Sequence, residues 1–409
     1  MSSRAISTAS PLYVVMLGLL SALPPFGTDA GLPGLPGLQA EFGIGMAQAT
    51  QTLTLFLLGF SIGPVFFGPL SDRYGRKPVL LFGVAVFSLA ALGCGLSGSV
   101  HSLLLLRFIG GVGAGAAASL PAAIVRDVYR DELALSRQSY VALVNGVAPL
   151  VAPLLGAAVL AFAGWRAIHE TLAALGVVLF ALAALGYAET APLDPNRQKT
   201  SVLGSAMASY RTVLGDRTYL LSTGLLAATF GVMFAYITGS SAVFMNLLGA
   251  TPTLYGVIFA CTAAGTITGA AFNTRLSARF GRHRVLGSAV VANLAICMVL
   301  VGVAWRGAGS IPLCAALVVL SNACAGIIMP TATHTALGNM GRAAGSAAAL
   351  LRGIQMIAGS SAGALVGLIG GDSLVAMALA MSVAAVLAIA LLLPLLQVMR
   401  VPVGAAPTI

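Results

Sequence analysis

Long runs of apolar residues alternate with short polar or charged punctuation along this chain. Twelve runs can be marked off, at 11–37, 48–70, 78–97, 101–125, 138–162, 166–187, 218–246, 252–275, 284–304, 310–333, 343–369 and 373–397. A helix needs about 20 apolar residues to cross the hydrocarbon core of a bilayer, so each run predicts one membrane-spanning helix. One interval breaks the rhythm. Residues 188–217 carry ETAPLDPNRQKT from Glu189 and stay polar and weakly amphipathic up to Asp216 and Arg217. This stretch divides the spans six and six and predicts a linker (188–217) between residues 1–187 and 218–409. The predicted fold class is an all-α polytopic membrane protein with twelve transmembrane helices in two pseudo-symmetric six-helix bundles.

Composition strengthens that picture. The 409 residues are 58% hydrophobic and 8% charged, against roughly 25% charged in an ordinary soluble domain. The mean hydropathy is +0.99. A cleavable signal peptide is not expected, because the first apolar run is long and lacks a small-residue cleavage site before the next span. The five cysteines, Cys94, Cys261, Cys297, Cys314 and Cys324, all lie in apolar runs without CxxC spacing. They read as buried, inert thiols rather than a disulfide framework or a metal site.

The net charge of +10 would suit nucleic acid if it formed a patch, but its distribution follows the spans instead. With the N-terminus inside, 17 of the 21 basic residues fall in cytoplasmic segments, and only Arg166 and Arg306 fall in outer loops. That is the positive-inside rule, so both termini are expected in the cytoplasm and no nucleic-acid partner is expected. The remaining cations, Arg107 and Arg352, fall inside apolar runs, and among the 11 acids only Asp29 clearly does so. Ionisable groups within spans usually face a cavity or a partner. These three are the first candidates for function.

The halves also echo one another. SDRYGRK (71–77) follows the second span and SARFGRH (277–283) follows the eighth, an internal repeat of the kind that builds transporters around a central site. In GPLSDRYGRKP (68–78), Gly75 permits a tight reversal, Arg73, Arg76 and Lys77 hold the loop inside, and Asp72 can pair with a cation or cap a helix. This segment resembles the loop signature of the major facilitator superfamily, and the resemblance extends to the twelve spans, the central loop and the second copy. It implies a conformational latch between bundles, with Gly68, Asp72, Arg73, Gly75 and Arg76 at its positions. The second copy has Ala278 where the acid belongs, which implies a weaker latch there.

Three further segments resemble drug:proton antiporters within that superfamily. LLLLRFIGGVGAG (103–115) is similar to the fourth-span motif whose arginine, here Arg107, supports proton transfer, although Gly110 stands where a glutamine is usual. A helix-end arginine could equally snorkel to headgroups. NGVAPLVAPLLGAAVL (145–160) resembles the antiporter motif of exporters, carried by Pro149, Pro153 and Gly156, with Ala152-Pro153 in place of Gly-Pro. Its two prolines bend the helix and its small residues admit close neighbours. FGTDAGLPGLP (26–36) is similar to the first span of bicyclomycin- and chloramphenicol-resistance type antiporters, which place an acid before a Leu-Pro. Ser21 stands where some relatives carry a second acid.

Asp29 therefore has two readings. Pro24, Pro25 and Gly27 can break the helix so that Thr28 or Asp29 caps the resumed segment, or sits hydrated among headgroups. Alternatively Asp29 titrates during transport, because apolar surroundings and a cation such as Arg107 pull a carboxyl in opposite directions. Arg352 lies about 15 Å inside the eleventh span in a segment that matches no family motif. It either attracts an anionic or acceptor-rich substrate group or pairs with exposed carbonyls. Thr28, Asn145, Tyr236, Asn322 and Arg352 are the candidate cavity residues. His101, His169, His283 and His334 lie near span ends without metal or triad spacing, and no Walker-type phosphate loop occurs.

The reading reached from the sequence is a proton-coupled exporter of small amphipathic drugs or antibiotics, working by alternating access with Asp29 as proton carrier. The alternative is a proton-coupled transporter of an amino acid, sugar or organic anion. A monomer in a bacterial inner membrane is expected, with a small-molecule substrate, the lipid bilayer, and no cofactor beyond the coupling proton. An enzyme is not expected, since no nucleophile, base or metal-ligand cluster is present.

Overall fold

The computed structural model describes residues 6–190, 207, 210–338 and 340–400; most of the 188–217 linker, with Arg197 and Lys199, lies outside the described residues. Every regular element among them is helical. Span 1 is broken, with Pro11–Ser21 and Leu23–Phe42 meeting at 45°. Spans 2, 3 and 4 are Met46–Tyr74, Arg76–Gly95 and Val100–Val128. The next helix, Asp131–Gly186, runs for 56 residues. At 1.5 Å per residue it would extend about 84 Å, far more than the ~30 Å hydrocarbon core of a bilayer. Gly164 divides it, with a left-handed φ of 79° that helical residues do not adopt, and the two arms are spans 5 and 6. Spans 7 to 12 are Arg217–Leu247, Pro252–Phe280, Arg282–Trp305, Ile311–Leu337, Ala344–Gly370 and Leu374–Arg400. The described spans thus number twelve, as the apolar runs predict, though their ends reach several residues beyond the apolar cores.

Backbone geometry confirms the repeat. Gly75 and Gly281 close the two copies of the loop signature with φ of 97° and 86°, a region in which a side chain is strained. The same spacing of 206 residues relates Gly59 and Gly63 of span 2 to Gly265 and Gly269 of span 8. Gly59 and Gly63 lie against the backbone of span 4 at Phe108 and Gly115, and Gly265 and Gly269 lie against span 10 at Val319 and Ala323. Small residues let these helices approach backbone to backbone. Each half therefore uses the same tight pair of helices.

The lobes meet along two seams, span 2 against span 11 and span 5 against span 8. The face bearing the Gly75 and Gly281 loops is here termed the basic face. Toward the opposite, far face the seams are closed. Ser360 Oγ donates to the Thr54 carbonyl at 3.0 Å, Asn246 Nδ2 donates to Gln39 Oε1 at 3.2 Å, and Gly371 packs on Ala47. Toward the basic face, no atom lies within 4 Å of where a Cβ would stand on Gly68 or Gly146.

Candidate functional site

The break in span 1 builds the most unusual polar site of the molecule. Pro24 and Pro25 occupy the first turn of a short helix, Leu23–Asp29, where their missing N–H groups cost little. That helix stops at Asp29, and Pro33 opens a single 3-10 turn, Leu32–Gly34. Neither resumed segment has a side-chain cap, so Thr28 and Asp29 are not N-caps. Thr28 Oγ1 instead shares its hydroxyl among the Pro24 and Pro25 carbonyls, at 3.1 and 3.3 Å, and Asp29 Oδ1 at 2.7 Å. Asp29 is 4% exposed. The Thr28 contact is the one hydrogen bond made by its carboxyl among the described residues, and no cation pairs with it.

Arg107 takes a different partner from the one the sequence suggests. Its Nη2 donates to the Gly27 carbonyl at 2.7 Å and its Nε to the Thr52 carbonyl at 3.2 Å. The guanidinium carbon stands 4.5 Å from the centre of the Phe56 ring. Arg107 is 5% exposed and does not snorkel. It fastens the broken segment to spans 2 and 4 through carbonyls and a π face, two residues before Asp29. A small cavity beside it is lined by Gly31, Gly34, Thr52, Trp165 and His169.

Gly156, in span 5, comes so close to the Ala30 carbonyl that no methyl group would fit between them. On the same span, Leu154 rests against Gly256 of span 8. The antiporter-like segment is therefore wedged between the Asp29 break and the second lobe.

The other predicted cavity residues divide. Tyr236 is 1% exposed and stacks on Phe259, with ring centres 5.9 Å apart. Asn322 is buried, its Nδ2 donating to the Val318 carbonyl at 2.9 Å. In this state Tyr236, Asn322 and Thr28 are buried. Asn145 is half-buried and Arg352 is exposed.

At the basic face, Arg76 pairs with Asp72 and, through Nε, with Asp127 at 3.0 Å, and its Nη1 donates to Ser71 Oγ at 2.6 Å. Glu189 accepts the backbone N–H groups of Arg76 and Lys77, both at 2.9 Å, and so occupies the N-terminus of span 3. Arg73 stacks over Tyr74. These contacts all lie within the first lobe. In the second copy Arg282 meets His334 Nδ1 at 3.3 Å, where the first copy has Arg76 and Asp127. Sequence reasoning missed Glu189 and a far-face clasp in which Trp165 Nε1 and Arg166 Nη2 both donate to Glu41 at 2.7 Å. Only the unusual pairing of Glu41 and Arg166 in outer loops could have signalled the clasp.

A twelve-span, two-lobed bundle with a carboxyl buried in a broken first span has the architecture of a membrane carrier. Residues 17–364 match the Major Facilitator Superfamily, and the chain belongs to that family; its function is transport. It is 30% identical over 355 residues to an uncharacterized MFS-type transporter, YdgK, of Bacillus subtilis, covering 86% of this chain and 88% of the relative. It is 30% identical over 363 residues to a bicyclomycin resistance protein homolog of Haemophilus influenzae, covering 87% and 88%. The solved D-xylose-proton symporter superposes with a TM-score of 0.66 at 16% identity, covering 93% of this chain and 97% of that one. At that identity the likeness concerns the fold.

Proposed function

We propose that this protein is a proton-coupled transporter of a small organic solute, with Asp29 as the proton site. Residues 1–187 and 218–409 would rock as bundles about a cleft between them that opens on the basic face, joined by 188–217. The basic face would be cytoplasmic, with both termini there, in a bacterial inner membrane and as a monomer. The observation that carries the reading is the isolation of Asp29, a buried carboxyl in the span 1 break with one hydroxyl donor and no paired cation among the described residues. Rocking of the lobes would change its surroundings, and changed surroundings load or release a proton. Arg107 serves as the fastener of the segment that holds it.

The solute is read first as a metabolite. An exposed arginine in the cleft suits a polar or anionic molecule, and the D-xylose-proton symporter offers a precedent on the same fold. Export of drugs is the second reading, favoured by the bicyclomycin resistance homolog and by the Pro149, Pro153 and Gly156 wedge. The test uses proteoliposomes with a pH-sensitive dye inside. Candidate solutes should drive proton flux with the native chain and none with Asp29→Asn; unchanged flux in the variant would refute the proton assignment. Expression in cells stripped of their own pumps separates the solute readings, since protection against any compound supports drug export.

A further inference from the structure

We propose that Arg352 is the recognition group for an anionic moiety, a carboxylate or phosphate, on the transported solute. This rests on the reading of the cleft as a solute path, and it narrows the substrate class.

The helix geometry sets the direction of Arg352. On span 11 the exposed apolar residues Ile357 and Leu368, the latter at 85%, mark the lipid-facing stripe. Arg352 lies five residues before Ile357, about 140° around the helix from that stripe. Its neighbour Gly353 packs on Ser61 and Val65 of span 2, and Gly359, two turns along the same face as Arg352, packs on Phe230 and Phe234 of span 7. Arg352 thus points between spans 2 and 7, toward the space between the lobes, and keeps an exposed surface there.

Among the described residues no acid pairs with this cation. Among the described residues Arg352 has no hydrogen bond and no ion pair, so the alternative of pairing with exposed carbonyls does not hold. The reason is written in the sequence: from residue 217 onward the sole acid is Asp372, in the far-face turn before span 12. It is 20 residues from Arg352, about 30 Å along a helix. Across the seam, Asp72 and Asp127 are both engaged by Arg76. A cation held within a membrane span is expensive and is ordinarily matched by a partner. Here the matching charge is left to the cargo, and a guanidinium fork fits a carboxylate or phosphate bidentately.

The experiment uses the purified full chain in a maltoside detergent, which carries no phosphate. Thermal melting is followed with lactate, succinate, glutamate, benzoate and glucose 6-phosphate, each beside its neutral ester or free sugar. At least one anion should stabilise the native chain while its neutral counterpart does not. Arg352→Gln should weaken that effect by about tenfold or more, the scale of a lost charge-assisted pair, and Arg352→Lys should keep part of it. The apo Arg352→Gln chain should melt no lower than the native one. The assignment is overturned if no anion in the panel stabilises the native chain, or if stabilisation survives in Arg352→Gln. It is overturned too if added phosphatidylglycerol alone reproduces the Arg352-dependent effect and no solute does. Anion binding should persist in Asp29→Asn, so failure of the proton reading is distinguishable from failure of this one.

Discussion

Gly156 and Ala30 meet backbone to backbone, with no room for a side chain between span 5 and the residue that follows Asp29. The close approach links a sequence motif to the proton-site candidate, since Gly156 of span 5 rests directly on the break in span 1. Gly156→Val should therefore displace the Asp29 segment. The expected cost is about 1–3 kcal/mol of stability from overpacking, together with loss of transport. Gly146→Ala on the same helix faces open space and should melt and transport as the native chain does. Melting temperatures and solute flux of the pair check the claim.

Arg107 holds carbonyls rather than the Asp29 carboxyl, and that has a measurable consequence. If the two side chains formed an ion pair, Asp29→Asn and Arg107→Gln would couple strongly in a double-mutant cycle. With Arg107 bound to Gly27 and Thr52, the interaction energy measured on stability should stay under about 1 kcal/mol, near the range of independent sites. Arg107→Gln alone should cost more, about 1–3 kcal/mol, because two buried carbonyls lose charged donors. A coupling larger than the single effects would contradict the geometry.

Glu189 receives the first two backbone N–H groups of span 3, so the start of the linker is tied to the Gly75 loop. Glu189→Ala removes a carboxylate from a helix N-terminus and should cost about 1 kcal/mol. Glu189→Gln keeps one acceptor oxygen and should cost less. Because Asp72, Asp127 and Arg76 remain, the loop should stay ordered and only its opening should quicken. Hydrogen exchange at Arg76 and Lys77 reads this directly, and unchanged exchange in both variants would remove Glu189 from the loop's machinery.

The spans and the six-plus-six division were legible because lipid and water sort apolar from polar residues so sharply. The repeat was legible in the loops, and its packing echo, Gly59 and Gly63 against Gly265 and Gly269, was present in the sequence but silent until the helices were placed. The site was only partly legible. Asp29, Arg107 and Arg352 stand out because charge inside a span is rare, but a single sequence does not give the face on which a helix residue lies. The carbonyl partners of Arg107 and the burial of Tyr236 and Asn322 are therefore not legible in it. Glu189 and Glu41 escaped notice because charged residues outside spans carry no such signal.

Closure of the far face depends on small residues of span 11. Gly363 stands between the hydroxyls of Thr54 and Thr238, at 3.0 and 2.9 Å from where a Cβ would be, and Gly371 is against Ala47. A larger side chain has to push span 2 or span 7 aside, whereas opening the far face would relieve the crowding. Gly363→Leu should therefore shift the lobes toward the far-open state rather than merely destabilise the fold. Spin labels at Gln39 and Asn246, which touch in the closed state, should report longer distances in that variant than with native Gly363. If the distance is unchanged while the melting temperature falls, the glycine is a packing residue only and the closed seam is held elsewhere.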